Sequence, residues 1–353
     1  MFKRLILLLL EFGAGLAGNL LAAAIQQDAW DNLFTPTRLA ATVGGAAIGL
    51  LLLALLESER SLAWNWRWHR YWYLRGLARN PDLHRWQVDF ARLKLVSGRQ
   101  AVVTAELLAD GERRDMVMLL QEFVLRRQAE SRAVLVLGEP GAGKTTGLER
   151  LTWELARQGA RRLGWNWPVP VLLPLGRYQE GSLTDFAAQQ MRTAVGGRSG
   201  KVLSQGLETL LEAGRIVLLC DALDEALGAR RDLVLAEIDR LLRSQAYAAV
   251  RLALTARTRE EPGSKLRDLP VFTIQDLSDE AVAVFVRVYR QEGHDEADVL
   301  ARLRKFGLLE PGGLGRNPFW LKLVVQSGAF QGRKGQILRQ AVADLLAREW
   351  QKP

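Results

Sequence analysis

The stretch AVLVLGEPGAGKTTGLERL, residues 133–151, decides the fold of this 353-residue chain. Its apolar run, residues 133–137, predicts a buried strand. The pattern G-x-x-x-x-G-K-[ST] follows at once, and its glycines leave room for main-chain amides to wrap phosphates. The sequence therefore predicts a nucleotide-binding loop made of Gly138, Glu139, Pro140, Gly141, Ala142, Gly143, Lys144, Thr145 and Thr146.

Two side chains of this loop have predicted roles of their own. Lys144 places a positive charge against the β and γ phosphates, which makes it a catalytic candidate. The Thr145 hydroxyl is predicted to help hold a magnesium ion. A helix that begins near Thr145 adds the favourable dipole of its N-terminus.

A second apolar run, IVLLC at residues 216–220, leads into a cluster of acids. Asp221, at the end of a buried strand, suits the second magnesium contact. A nearby acid can orient or deprotonate water, and Glu225 is the first candidate with Asp224 next. The alternative is an ordinary helix N-terminus, where acids are favoured.

A third run, residues 252–256, ends at Arg257. Ligands of open α/β sheets bind at the carboxyl ends of the strands, so Arg257 is predicted to sense the γ-phosphate. The alternative is a solvated basic loop.

Two more strand-like runs, residues 169–175 and 271–274, bring the predicted strands to five. Helical patterns lie between the strands, at residues 147–158, 183–193, 207–212 and 233–243. This alternation predicts an α/β fold, with a five-stranded parallel sheet covered by helices on both faces.

The N-terminus has a different character. Apolar stretches at residues 5–25 and 39–56 each approach the length that crosses a bilayer, and arginines follow the second. A two-pass hairpin over residues 1–57 with both ends in the cytoplasm is predicted, in the inner or plasma membrane. The alternatives are a cleaved signal peptide around residues 22–24 and a pair of buried core helices.

Residues 58–115 are predicted to form a helical linker, which interleaves tryptophans and tyrosines with arginines over residues 58–79. Such a segment suits a membrane interface and anionic lipids, and the net charge of +9 agrees. Nucleic acid is the disfavoured rival partner. The single Cys220 excludes an internal disulfide and suits a reducing compartment.

From about Met116 to its end, the chain resembles the NACHT family of signal-transducing P-loop ATPases, within the STAND class. GEPGAGKTT resembles that family's phosphate loop, LLCDALDEA its magnesium motif and LALTAR its sensor strand. RNPFWLKLV, residues 316–324, is similar to the helical segment whose proline contacts adenine, which implies that role for Pro318.

The resemblance implies an NTPase core at residues 116–275, a helical subdomain at 276–335 and the start of a winged-helix segment at 336–353. It also implies an ATP/ADP-gated, Mg²⁺-dependent switch that forms homo-oligomers on activation. Because relatives usually continue into sensing repeats, the chain is expected to be a fragment or to use a separate sensor protein.

Three functions follow from these features. The first is a slow ATPase switch that controls assembly on a membrane, as in a defence-related effector. The second is a nucleotide-binding membrane scaffold that does not hydrolyse. The third is a transport-associated ATPase, which only residues 203–206 faintly suggest. The absence of an N-K-x-D segment favours ATP over GTP.

Overall fold

The computed structural model describes residues 59–84, 106–109, 112–126, 131–162, 167–226, 228–257, 269–290 and 293–350. The chain divides into two compact units, Met1–Arg67 and Trp68–Pro353. The hairpin predicted at residues 1–57 lies outside the described residues. Among the helices that are described, none combines the length and the apolar character needed to cross a membrane.

Seven strands form one sheet in the described part of the second unit, in the order β2-β1-β7-β3-β6-β5-β4. Strands β7, β3, β6, β5 and β4 are mutually parallel, which confirms the predicted five-stranded parallel sheet. The strands are β1 Glu106–Ala109, β2 Glu112–Asp115, β3 Ala133–Leu137, β4 Val169–Pro174, β5 Ile216–Asp221, β6 Arg251–Ala256 and β7 Val271–Ile274.

The antiparallel hairpin β1–β2 pairs with β7 and extends the sheet at that edge. It lies within residues 58–115, which the sequence assigns to a linker. Its second strand reads ERRD and has no apolar alternation, so pairing with a neighbour, not local pattern, makes it a strand.

The central strands are mostly apolar because both of their faces are covered. Every residue of β5 and β6 is buried, as are the first four of β3. Parallel sheets are typically buried in this way by helices on both faces. The helices of this layer are α2 Met116–Leu125, α3 Lys144–Arg161, α4 Leu183–Ala194, α5 Arg198–Gln205, α6 Leu207–Glu212 and α7 Ala229–Arg243.

Helix α1, Glu59–Leu77, crosses the boundary between the two units. Its C-terminal part and the turn after it pack within the second unit. The Asn80 side-chain amide donates a hydrogen bond to the Ala194 carbonyl at 2.9 Å, and the Trp153 indole donates to the Ala78 carbonyl at 3.1 Å. Residues 78–80, in the middle of the predicted linker, therefore pack against the NTPase core.

Four helices follow β7 and enclose an apolar core of their own. They are α8 Asp279–Tyr289, α9 Glu296–Lys305, α10 Pro318–Ser327 and α11 Lys334–Trp350. Ile337, in the first turn of α11, is fully buried in this core. The segment predicted to open a winged-helix domain thus begins by packing on the helical subdomain.

Candidate nucleotide site

The loop between β3 and α3 turns tightly at its tip. The Ala142 amide donates to the Glu139 carbonyl at 3.1 Å, and Gly141 and Gly143 have φ angles of 81° and 98°. Only glycine adopts such angles at little cost. Gly143 caps α3, which begins at Lys144 and leaves its first amides directed at the loop.

Lys144 folds back into the loop. Its ammonium donates to the carbonyl oxygens of Gly138, at 2.5 Å, and Glu139, at 3.1 Å. Burial lowers the pKa of Lys144, and the negative charges of Asp224 and Asp221 oppose that shift. The structure therefore brings the lysine and two of the three predicted acids, Asp221 and Asp224, into one electrostatic cluster.

Asp221 is buried at the carboxyl end of β5 and held in place by the next strand. Its Oδ1 accepts a hydrogen bond from the Thr255 hydroxyl at 2.7 Å. The same hydroxyl accepts from the Ala222 amide at 2.8 Å. Ala222 has a φ of 55°, a left-handed conformation that disfavours larger side chains and that these bonds maintain.

Asp224 and Arg257 form an ion pair, with Nε and Oδ2 2.6 Å apart. The Asp224 side chain is only 4% exposed, whereas that of Arg257 is 53% exposed. Within the part of the chain that the structure describes, Asp224 Oδ1 is buried without a hydrogen-bond partner. Arg257 thus reaches the site, and its contact with a γ-phosphate stays a prediction.

Glu225 lies to one side of this cluster. It is exposed, and a Cβ added to Gly176 would come within 2.7 Å of its Oε2. Its carboxylate therefore lies against the turn that follows β4. Its role as the water-activating base stays a prediction.

The helical subdomain touches the phosphate loop directly. The Asn317 side-chain amide donates to the Pro140 carbonyl at 3.0 Å, and the Phe319 amide approaches the Gly141 carbonyl at 3.4 Å. Pro318 lies between them as the first residue of α10, beside the loop. Contact between Pro318 and adenine stays a prediction.

Sequence reasoning missed two residues of this site. Asn317 precedes a proline at the first helical position, a recognisable N-cap pattern, yet nothing local to it shows the contact with the loop. Thr255 lies inside a mostly apolar strand. The sequence around it does not indicate which carboxylate its hydroxyl binds.

The donor set suits a magnesium ion. Carboxylate and hydroxyl oxygens are the protein ligands that Mg²⁺ prefers, and Asp221 and Thr145 supply one of each. The unpartnered Asp224 Oδ1 offers a buried acceptor for water bound to such an ion. These residues therefore fit the cofactor that the fold implies.

A phosphate loop after the central β3, with an acid at the end of the nearby β5, defines a P-loop NTPase fold. Residues 132–292 match the NACHT domain family. This part of the chain is therefore a NACHT domain, and the resemblance seen in the sequence is confirmed over these residues.

Other comparisons give distant similarities. No curated protein matches the chain. The crystal structure of Cdc6p from Pyrobaculum aerophilum is 14% identical with a TM-score of 0.41, and the match covers 70% of this chain and 62% of that one. The structure of C. elegans PCH-2 is 16% identical with a TM-score of 0.34, covering 66% of this chain and 65% of that one. The chain thus spans less than two thirds of either structure.

Proposed function

We propose that this protein is a Mg-ATP-dependent NACHT switch, anchored in a membrane by residues 1–57 and active as a homo-oligomer in a defence-related response. One observation carries the proposal. Lys144, Asp221, Asp224 and Arg257 meet at the carboxyl ends of neighbouring strands, and the helical subdomain contacts the same loop.

The residues have distinct parts in such a switch. Loop amides and Lys144 bind the phosphates, and the lysine exchanges its two carbonyl acceptors for phosphate oxygens. Asp221 and Thr145 would hold the magnesium ion, which would neutralise phosphate charge when bound. Arg257 leaves Asp224 for the γ-phosphate and returns once that phosphate has gone.

The contact between the loop and α10 transmits the nucleotide state to the helical subdomain. Asn317 is bonded to Pro140, so a loop that changes shape around a nucleotide pulls on the N-terminus of α10. The helical subdomain has its own core, so we expect it to move as a body. The nucleotide state thereby controls which surfaces the subdomain offers to another copy of the chain.

The membrane part of the proposal is supported by helix α1 as well as by the apolar N-terminus. Trp68 and Trp72 are 51% and 39% exposed, and their rings meet edge to face at 5.6 Å. The Arg75 guanidinium lies over the Trp72 ring at 5.2 Å. Exposed aromatic side chains beside a partly exposed cation favour the headgroup region of a bilayer.

Calorimetry with Mg-ATP on the full chain tests the nucleotide site. Lys144→Ala is expected to weaken binding about tenfold or more, because a charge-assisted contact to phosphate is lost. Lys201→Ala, which removes an exposed lysine of α5, is the matched control and should bind as the parent does. Equal affinity in parent and Lys144→Ala would overturn the proposal.

Liposome leakage tests nucleotide control on the membrane. The parent protein with Mg-ATP is expected to release a trapped dye, and Lys144→Ala is expected to release less. Equal leakage by the two proteins would show that the membrane activity is independent of the nucleotide.

The non-hydrolysing scaffold is the second candidate, and the position of Glu225 favours it. That residue is exposed and lies against Gly176, while Asp224 is paired with Arg257. Single-turnover phosphate release decides between the two. Release that Glu225→Gln abolishes supports the switch, whereas tight ADP retention without release supports the scaffold.

A further inference from the structure

Thr255 places a fully buried hydroxyl near the carboxyl end of β6. This strand lies between β3, which leads into the phosphate loop, and β5, which ends at Asp221. The register pairs Cys220 of β5 with Leu254 of β6, so Asp221 and Thr255 are the next neighbours along the two strands. A buried hydroxyl needs hydrogen-bond partners, and Thr255 finds both of its partners in the acidic segment that follows β5.

The Thr255 hydroxyl joins two consecutive residues of that segment. It donates to Asp221 Oδ1 at 2.7 Å and accepts from the Ala222 amide at 2.8 Å. The two roles cannot be exchanged, because a carboxylate has no proton to donate and a main-chain N–H only donates. The first bond engages Oδ1 of Asp221 and leaves Oδ2 for a metal ion. The hydroxyl therefore fixes the rotation of the carboxylate about its own side chain.

The second bond acts on the backbone. Among the described residues, Ala222 is the non-glycine residue whose φ is positive, at 55°. A residue with a Cβ adopts this conformation at a cost, so the surrounding structure must hold it there. Ala222 in turn begins the short helical turn Leu223–Glu225, in which the Glu225 amide donates to the Ala222 carbonyl at 3.0 Å. Thr255 thereby fixes the direction in which the acidic turn leaves β5.

The same end of β6 holds the acidic turn at a second point. Asp224 lies in the turn and pairs with Arg257, two residues beyond Thr255. The Arg257 side chain is largely exposed, and the proposed switch requires this ion pair to open for a γ-phosphate. The Thr255 hydroxyl is buried, so its two bonds stay formed when the ion pair opens. Thr255 is thus the fixed support of the acidic turn, and Arg257 is the movable one.

We propose that Thr255 is a positioning residue that sets the affinity of the site for Mg²⁺. This inference rests on the proposed function and concerns the metal half of the same site. The phosphates are bound by the loop amides and Lys144, which Thr255 does not contact. Loss of the hydroxyl should therefore weaken the binding of Mg²⁺ and leave the binding of metal-free nucleotide unchanged. Hydrogen bonds that orient a metal ligand typically change metal affinity about 10–100-fold.

Calorimetry of ATP binding to the full chain, in EDTA and then at increasing Mg²⁺, separates metal binding from phosphate binding. Thr255→Val replaces the hydroxyl with a methyl group. It is expected to need about tenfold more Mg²⁺ or more for the same gain in ATP affinity, with the parent affinity in EDTA. Thr255→Ser keeps a hydroxyl and should restore the parent Mg²⁺ dependence. Thr152→Val is the matched control, because the Thr152 hydroxyl is also buried but donates to the Leu148 carbonyl within α3, at 2.7 Å.

Ala222→Gly combined with Thr255→Val guards against a folding defect, because glycine adopts the left-handed conformation without support. This double variant should still need more Mg²⁺, since Asp221 has lost its bond. A parent Mg²⁺ dependence in both Thr255→Val and the double variant would overturn the inference and leave the nucleotide site standing. A loss of the same size in EDTA, or in Thr152→Val, would overturn it as well, because the hydroxyl would then only support the fold. A parent chain that binds no ATP would overturn this inference and the proposed function together.

Discussion

At the scale of single residues, Gly141 and Gly181 form a natural comparison. Both have a left-handed φ, of 81° and 98°. A Cβ at Gly141 would lie 2.6 Å from the Phe319 Cβ, whereas a Cβ at Gly181 would meet nothing within 4 Å. The two positions therefore share a backbone requirement, and only Gly141 has a steric one as well.

Alanine at the two positions is expected to separate these requirements. Gly181→Ala should lower the free energy of unfolding by ~1–2 kcal/mol, the cost of left-handed backbone for a residue with a Cβ. Gly141→Ala should lower it further and weaken ATP binding, because the loop and α10 must move apart. Urea unfolding and calorimetry measure both effects. Equal losses at the two positions would show that the contact with α10 contributes nothing.

The ion pair of Arg257 and Asp224 gives a second prediction at this scale. Arg257→Gln leaves a buried carboxylate without its cation and should lower the free energy of unfolding by ~1–3 kcal/mol. Asp224→Asn in the same chain removes the charge and should restore part of the loss. A double-mutant cycle by denaturant unfolding measures the coupling, and strictly additive losses would argue against the pair.

At the scale of elements, two helix caps of the helical subdomain differ in one respect. Ser278 accepts from the Ala281 amide at the start of α8, and Asn317 accepts from the Phe319 amide at the start of α10. Only Asn317 also donates to the phosphate loop, at Pro140. One cap is thus structural, and the other also connects the subdomain to the site.

Alanine substitution of each cap is expected to cost ~1 kcal/mol of stability. Asn317→Ala should in addition speed the release of a fluorescent ADP analogue in stopped-flow experiments, because one bond that closes α10 on the loop is lost. Ser278→Ala is the control and should release ADP at the parent rate. Unchanged release from Asn317→Ala would mean that this contact does not hold the nucleotide.

At the scale of the whole molecule, Cys220 reports on opening of the sheet. It is the single cysteine of the chain and is fully buried in β5. Burial, followed by the charge of Asp221, raises the pKa of the thiol to about 12. The thiol therefore stays protonated and shielded at neutral pH, and reagents reach it only when the core opens.

Labelling of Cys220 should accordingly slow when nucleotide binds. If ATP binds only the folded core, a concentration 100 times its dissociation constant reduces the open population about 100-fold. Mass spectrometry of iodoacetamide-treated protein, with and without Mg-ATP, measures this rate. Lys144→Ala is the control and should lose most of the protection. Fast labelling at a rate that does not change with ATP would contradict the buried position of the thiol or the coupling between core opening and nucleotide binding.

The parallel strands and the glycine loop of the candidate nucleotide site could be predicted from the sequence. Residues 133–137 and 271–274 have the observed bounds of β3 and β7. β3 is buried and appears as a short apolar run, whereas β7 is only partly buried and is recognised by its β-branched and aromatic residues. The glycines of the loop were also predictable, because a main chain that wraps phosphates needs their conformations. The position of Asp221 was predictable because it directly follows an apolar run. These features depend on residues that are close together in the sequence.

The contacts between these elements could not be predicted from the sequence, because they depend on how distant parts of the chain pack together. Asn317 and Pro140 are 177 positions apart, and their bond depends on how the helical subdomain packs on the sheet. Strand β2 is polar, and it is a strand because it pairs with the edge of β1. A cavity at the amino-terminal ends of β5 and β6 is likewise lined by the ends of separate helices and strands. Local periodicity reports which face of an element is buried, whereas strand order and packing determine which side chains share one space.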